Sequence, residues 1–277
     1  MDFNKNLKIC VIGCGSIGTE IASTVSSGTI SNMSVRSIFD IDKPRARKLL
    51  SELNDDVIIS GSITEIINDK KIDLVVECVS PYFVSNNAIE ILQSGISMLF
   101  MSSGALIDKT FFKKVSHICN LKNVQVYIPS GAVGGIDTIK AIKPLLKTVT
   151  IVTTKPPNAL LGAPGFKEYE NSIINEKLTV FEGSAIQAVT LFPSNLNVSA
   201  TISIAGVGPE RTMVKVIADP NSSNNIHEIY VTSEAGDFMF KFQNKPHQTN
   251  KKTSYLAILA AIETLRSISE SKLIVGT

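Results

Sequence analysis

Six residues near the N-terminus have the types and spacing to cradle an anion. Gly13-Cys14-Gly15-Ser16-Ile17-Gly18 reads G-x-G-x-x-G. Between a strand and a helix, the first glycine permits a tight turn. The second lets phosphates approach the backbone, and the third lets helix and strand pack closely. Ile9-Cys10-Val11-Ile12 supplies the strand and Thr19-Glu20-Ile21-Ala22 opens the helix. The helix N-terminus then offers free N–H groups and partial positive charge. Gly13, Gly15, Ser16, Ile17 and Gly18 are therefore candidate contacts to a dinucleotide pyrophosphate. Such a site needs an acid about 20 residues further on. Val35–Phe39 reads as the next strand, and Asp40 ends it. Asp40 would accept bonds from the adenosine ribose and repel a 2′-phosphate, favouring NAD. Lys43 and Arg45 stand close enough in sequence to soften that preference and admit NADP. The bland alternative is a glycine turn that serves packing alone.

A second candidate is a histidine. His227 has a side chain whose ordinary pKa suits proton transfer near neutrality. By strand alternation it shares a face with Ile229 and Val231, and on pattern alone a core histidine is the favoured reading. His117, in a polar helix, and His247, in a Pro-Asn-Gln loop, read as solvated surface residues. Cys10, Cys14, Cys78 and Cys119 form no C-x-x-C pair, so no metal site is expected.

These residues need elements to hold them. Over the first 130 residues strands and helices alternate. Helices are expected over 43–53, 62–68, 83–93 and 108–120, and strands over 57–60, 74–79, 98–101 and 124–128. Repeated βα units predict an α/β fold with a doubly wound, parallel Rossmann sheet. Its strand ends carry Gly13–Gly18, Asp40, Cys78–Ser80 and Ser102–Gly104 along one rim, which adds Cys78 and Ser80 to the cofactor contacts. After Pro129 the texture shifts. A helix is expected over 138–146 despite Pro144. Strands are expected over 149–154, 201–205 and 212–218, and a hairpin from 226–232 and 238–242. This predicts a second mixed α/β domain with a largely antiparallel sheet. The expected organisation is a dinucleotide domain over 1–130, a catalytic and dimerisation domain over 131–250, and a C-terminal helix over 251–277 returning to the first domain.

The 277 residues are 44% hydrophobic and 19% charged, with a formal net charge of +2. That is a globular balance with room for a large core. Basic and acidic residues interleave, so neither nucleic acid nor a membrane is an expected partner. The N-terminal residues lack the apolar core of a signal peptide, and a cytoplasmic protein is expected.

With these segments laid out, the chain resembles the L-aspartate dehydrogenase family. The resemblance rests on Ser130-Gly131-Ala132-Val133-Gly134-Gly135-Ile136-Asp137, Thr153-Thr154-Lys155-Pro156-Pro157 and Glu182-Gly183-Ser184-Ala185. It continues through Phe192–Thr201, Ala218-Asp219-Pro220, Asn225-Ile226-His227-Glu228-Ile229 and Lys252–Ala257. Ser199 and Lys251 depart from the usual pattern. The resemblance implies NAD(P)-dependent oxidation of L-aspartate to iminoaspartate, which water converts to oxaloacetate and ammonia and which also feeds NAD synthesis. It implies His227 as the catalytic residue, Ala132 and Asn197 as further cofactor contacts, and a homodimer. Lys155, Arg211 and Lys252 are the cations near these segments, and the sequence does not choose a substrate partner among them. Rival readings are a homoserine dehydrogenase or dihydrodipicolinate reductase type of oxidoreductase, or a non-catalytic dinucleotide sensor.

Overall fold

The structure is a computed structural model that describes residues 6–54, 56–193, 197–248, 250 and 253–270. The chain divides into two compact units, Met1–Pro129 with Ile258–Thr277, and Ser130–Ala257.

The first unit alternates β1 (Leu7–Ile12), α1 (Ser16–Ser26), β2 (Met33–Phe39), α2 (Lys43–Leu50), β3 (Ile58–Ile59), α3 (Ile63–Asn68), β4 (Leu74–Glu77), α4 (Pro81–Gln93), β5 (Ser97–Phe100), α5 (Lys109–Lys122) and β6 (Val126–Tyr127). The strands pair in parallel in the order β3-β2-β1-β4-β5-β6. This is the doubly wound Rossmann order, and it reverses between β1 and β4. Four helices start where a side-chain oxygen takes up an orphan N–H: Asp42 accepts from Arg45, Ser62 from Glu65, Ser80 from Phe83 and Asp108 from Phe111. The fourth helix begins at Pro81, two residues before the expected Phe83. Proline suits the first helical position, and Ser80 caps it.

The second unit contains α6 (Ile136–Ala141), β7 (Leu146–Lys155), β8 (Leu178–Ser184), α7 (Ala185–Leu191), α8 (Asn197–Ala205), β9 (Thr212–Ala218), β10 (Asn225–Ser233) and β11 (Gly236–Asn244). Its sheet runs β11-β10-β7-β9-β8. Only the β7–β9 pair is parallel. Two expectations are corrected here. The helix expected over 138–146 stops at Ala141, and a 3-10 turn follows over Lys143–Leu145. Pro144 has no N–H to donate and its ring would strike the carbonyl four residues back. The strand expected over 201–205 is the end of helix α8. Every residue from Val198 to Ser203 is buried, so no polar face marks the helical period. The β-branched residues pointed towards a strand, and tertiary packing overrode that preference.

One face of this sheet is covered. Val149 and Ile151 of β7 and Ile229 and Val231 of β10 pack with Ile139, Val198 and Ile202 from α6 and α8. The last helix, α9 (Tyr255–Ser269), contains the boundary between the units. Its Ile258, Ala261, Ile262 and Leu265 enter the core of the first unit beside Ile9, Val11, Ile21 and Leu74.

Candidate active site

The glycine turn of the first unit is fixed by close approaches. Gly13 has φ +97°, and its N–H donates to the Phe39 carbonyl at 2.8 Å. A Cβ there would lie 2.6 Å from the Cys78 carbonyl oxygen, and one at Gly18 would lie 1.8 Å from the Gly13 oxygen. Packing therefore requires both glycines. It does not require Gly15, where a Cβ would meet no protein atom within 4 Å. Gly15 is the residue before α1, and no side chain caps that helix. Ser16 and the half-buried Ile17 form its first turn, the end of a helix whose backbone N–H groups suit an anion.

Asp40 is buried at the end of β2. Its Oδ2 accepts the Cys14 N–H at 2.8 Å, and its Oδ1 accepts the Asp42 N–H at 2.8 Å. One carboxylate thus braces the glycine turn, while each oxygen keeps further acceptor capacity. Lys43 lies over the Phe39 ring at 5.4 Å, and Arg45 pairs with Asp42 at 3.6 Å. Both cations are directed to their own neighbours.

At the ends of β4 and β5 a fully buried carboxylate ties two loops together. Glu77 accepts the Val79 N–H at 2.7 Å and the Ser80 N–H at 2.9 Å. It also accepts the Ser102 N–H at 3.1 Å and the Ser102 hydroxyl at 2.9 Å. Burial pushes its pKa up, against those four hydrogen bonds, which hold it down. Cys78 and Ser80 stand on the loop it staples. Burial pushes the Cys10 and Cys14 thiols up to about 12, so both are neutral packing groups.

In the second unit, β10 pairs with β7 so that His227 lies directly opposite Thr153. Both are buried, and Thr153 Oγ1 is 3.0 Å from His227 Nδ1. Lys155, two residues on, is on the same face of β7 and is also buried. Burial, with the nearby Lys155 charge, lowers the His227 pKa to about 3. Burial lowers that of Lys155 to about 8. Ala132 is buried in the core of this unit, and its carbonyl accepts the Asn244 side-chain N–H at 2.7 Å. Asn197 opens α8. Residues Ser194, Asn195, Leu196 and Lys252 lie outside the described residues.

His247 corrects an expectation. It is buried, with its N–H donating to the Thr253 carbonyl at 2.8 Å and its ring 5.9 Å from that of Tyr255. The loop around it is polar in sequence, but α9 starts beside it and covers it. His117 is exposed. Arg211 is exposed and donates to the Lys147 carbonyl at 3.3 Å. Sequence reasoning missed Glu77 and Thr153. Glu77 had a signal, a carboxylate ending the apolar run Leu74–Val76. Thr153 had none, because its partner is 74 residues away.

Comparison with known proteins places the chain. Residues 137–268 match the family model described as aspartate dehydrogenase, C-terminal. Residues 13–129 match the homoserine dehydrogenase, NAD binding domain model. An L-aspartate dehydrogenase of Methanosarcina mazei is 43% identical over 95% of this chain and 97% of its own. That of Nitrosopumilus maritimus is 37% identical over 98% and 99%. The chain belongs to the L-aspartate dehydrogenase family. The crystal structure of aspartate dehydrogenase from Thermotoga maritima has a TM-score of 0.77 to it, with 30% identity over 98% of this chain and 99% of that one. A scyllo-inositol dehydrogenase from Lactobacillus casei shares the fold alone, at 11% identity and a TM-score of 0.59. The match to the aspartate dehydrogenase C-terminal model contains Thr153, Lys155 and His227. That to the NAD-binding model contains the glycine turn, Asp40 and Glu77. Among the described residues, no group of three or more His, Cys, Asp or Glu is placed to hold a metal ion, and no helix is long and apolar enough to cross a membrane.

Proposed function

We propose that this protein oxidises L-aspartate to iminoaspartate with NAD, releasing oxaloacetate and ammonia after water adds. Near-full-length similarity to L-aspartate dehydrogenases supports the substrate. The carrying observation in the structure is the buried pair Thr153–His227, next to Lys155.

The residues present fit a nicotinamide dinucleotide. Gly15 leaves space that no packing uses, and α1 has no side-chain cap. Gly13, Gly15, Ser16, Ile17 and Gly18 would hold the pyrophosphate, and Asp40 the adenosine ribose. Cys78 and Ser80, on the loop stapled by Glu77, together with Ala132 and Asn197, would complete the cofactor contacts. When bound, the cofactor supplies the hydride acceptor.

His227 has the role of base. Hydride leaves Cα only when the amino group can give up its proton and donate its lone pair. His227 is neutral at pH 7 because burial holds its pKa near 3. With Nδ1–H donating to Thr153 Oγ1, the Nε2 lone pair is left to accept that proton. A substrate with two carboxylates raises the proton affinity of His227 as it binds, offsetting the charge of Lys155. The resulting imidazolium keeps its Thr153 bond and later returns the proton as water adds to the imine.

The finer reading is NAD favoured over NADP, a role supplying iminoaspartate for NAD synthesis, a cytoplasmic location and a homodimer. The dimer has one structural support. Met239 and Tyr230 are cross-strand neighbours and Met213 follows beyond Thr150, all three exposed on the open face of the second sheet. Sedimentation showing only single chains at micromolar concentration would exclude it. The function is tested by following NADH formation with a panel of amino acids. L-Aspartate should be the preferred substrate, and activity confined to homoserine, or none at all, would overturn the reading.

A further inference from the structure

We propose that Asn225 accepts a hydrogen bond from the amino group of the substrate and so aims the reacting nitrogen at His227, with Ser254 holding its amide in place. The inference rests on the reading of this protein as an aspartate oxidiser with His227 as its base.

Asn225 opens β10 and is buried, at 4% exposure. Burial alternates along that strand, so Asn225, His227, Ile229 and Val231 share the covered face of the sheet. Ile229 and Val231 belong to the apolar core, and His227 bonds Thr153. Asn225 stands two residues before the histidine, which is about 7 Å along a strand. One small group can reach both side chains at that spacing. Asn244, directly opposite on β11, is buried too, and its Nδ2 donates to the Ala132 carbonyl at 2.7 Å. From Val231 towards the start of β10, the covered face thus passes from apolar core to proton carrier to amide.

Ser254 holds the amide. Asn225 Nδ2 donates to the Ser254 hydroxyl at 3.4 Å, and Ser254 is buried just ahead of α9. A bridge between Ser254 and Pro246, and the Tyr255 N–H bond to the Lys245 carbonyl at 3.0 Å, fix the backbone that carries the serine. With its nitrogen turned to Ser254, the amide offers its oxygen, which has two acceptor sites. Among the described residues none donates a hydrogen bond to that oxygen. The group that brings donors to His227 is the substrate's ammonium. It gives one proton to Nε2, and a second N–H stays on the Asn225 oxygen. As hydride leaves Cα for the bound cofactor, the nitrogen lone pair becomes the second bond of C=N, and the neutral amine becomes a cationic iminium. The N–H it keeps is then a stronger donor. The bond to Asn225 therefore tightens as the reaction proceeds, which raises the rate and not the affinity alone. The carboxamide itself takes no proton and forms no covalent bond.

The test uses Asn225→Ala, which removes the amide, and Ser254→Ala, which removes its partner. In Asn225→Ala, kcat/KM for L-aspartate should fall by roughly 10- to 100-fold, mainly through kcat, with NADH affinity unchanged. Succinate has both carboxylates and no amino group, so its inhibition should not change. Ser254→Ala should lower kcat by a smaller factor, and the double variant should be no slower than Asn225→Ala alone. A wild-type kcat/KM in Asn225→Ala overturns the proposal. So does a parallel loss of succinate inhibition, which assigns Asn225 to a carboxylate. A lower melting temperature with the kinetics intact also overturns it, and marks a pin for the start of α9. An additive double variant overturns the role given to Ser254. If Asn225→Ala does not fold, Asn225→Thr decides. Threonine suits a strand, but its hydroxyl is one bond shorter than the amide oxygen, and wild-type turnover there overturns the proposal. The underlying reading fails separately, through a wild type inactive on L-aspartate or a His227→Asn variant that keeps its turnover.

Discussion

Thr153 and His227 face each other across paired strands, with hydroxyl oxygen and Nδ1 3.0 Å apart and both side chains buried. With the hydroxyl accepting from Nδ1–H, Nε2 is left unprotonated, and the hydroxyl still accepts after Nε2 gains a proton. Thr153→Val removes that partner while keeping the shape. The expected result is a kcat about fivefold lower with NAD affinity unchanged, since one such bond contributes about 1 kcal/mol. Thr153→Ser should restore most of the rate. Equal rates in the wild type and Thr153→Val would remove the hydroxyl from the mechanism.

His227→Asn should lower kcat by roughly 10²–10⁴-fold and leave NADH binding intact. It should also change acid stability. The histidine pKa is 6.5 when free and about 3 in the fold. Between those values the unfolded chain binds a proton that the folded chain does not. Stability is therefore present above pH 6.5 and lost as the pH falls towards 3, on the order of 5 kcal/mol in all. Denaturant titrations from pH 7 to pH 4 should show a shallower decline for the variant. Parallel curves would mean that His227 does not titrate as its burial requires.

Asp40→Asn tests cofactor choice. Asparagine can keep one of the two acceptor bonds, to Cys14 or Asp42, while removing the charge that would repel a 2′-phosphate. The ratio of kcat/KM for NAD to that for NADP should fall, chiefly through a gain with NADP. A ratio that does not move would leave Asp40 as a brace of the glycine turn alone.

Glu77→Gln should destabilise the first unit. The carboxylate accepts from three backbone N–H groups and one hydroxyl. An amide places its own N–H groups against one of those donors, at a cost of about 1–3 kcal/mol. Because the stapled loop carries Cys78 and Ser80, NAD affinity should fall with stability. Thermal unfolding and NADH titration of the same variant check both, and an unmoved NADH affinity would confine Glu77 to the fold.

Local order was legible in the sequence because its causes are local. The glycine spacing, the strand before it and the acid at the end of the next strand declared the Rossmann half, and the observed strand order β3-β2-β1-β4-β5-β6 is the one such units form. Thr212–Ala218 and the hairpin around Ser233–Asp237 were equally plain, since alternation and turn residues lie side by side. Where burial surrounds a segment the period vanishes, and α8 was read as a strand. For the candidate site, the sequence alone offered His227 as a residue with two opposite readings, core or chemistry. Only the fold places Thr153 opposite it and Lys155 on the same face, because strand register joins residues that the chain separates by more than 70 positions. The same register decides the environment. A histidine in water keeps its ordinary pKa, whereas one buried beside an ammonium is held neutral, and no pattern in the residues around position 227 carries that information.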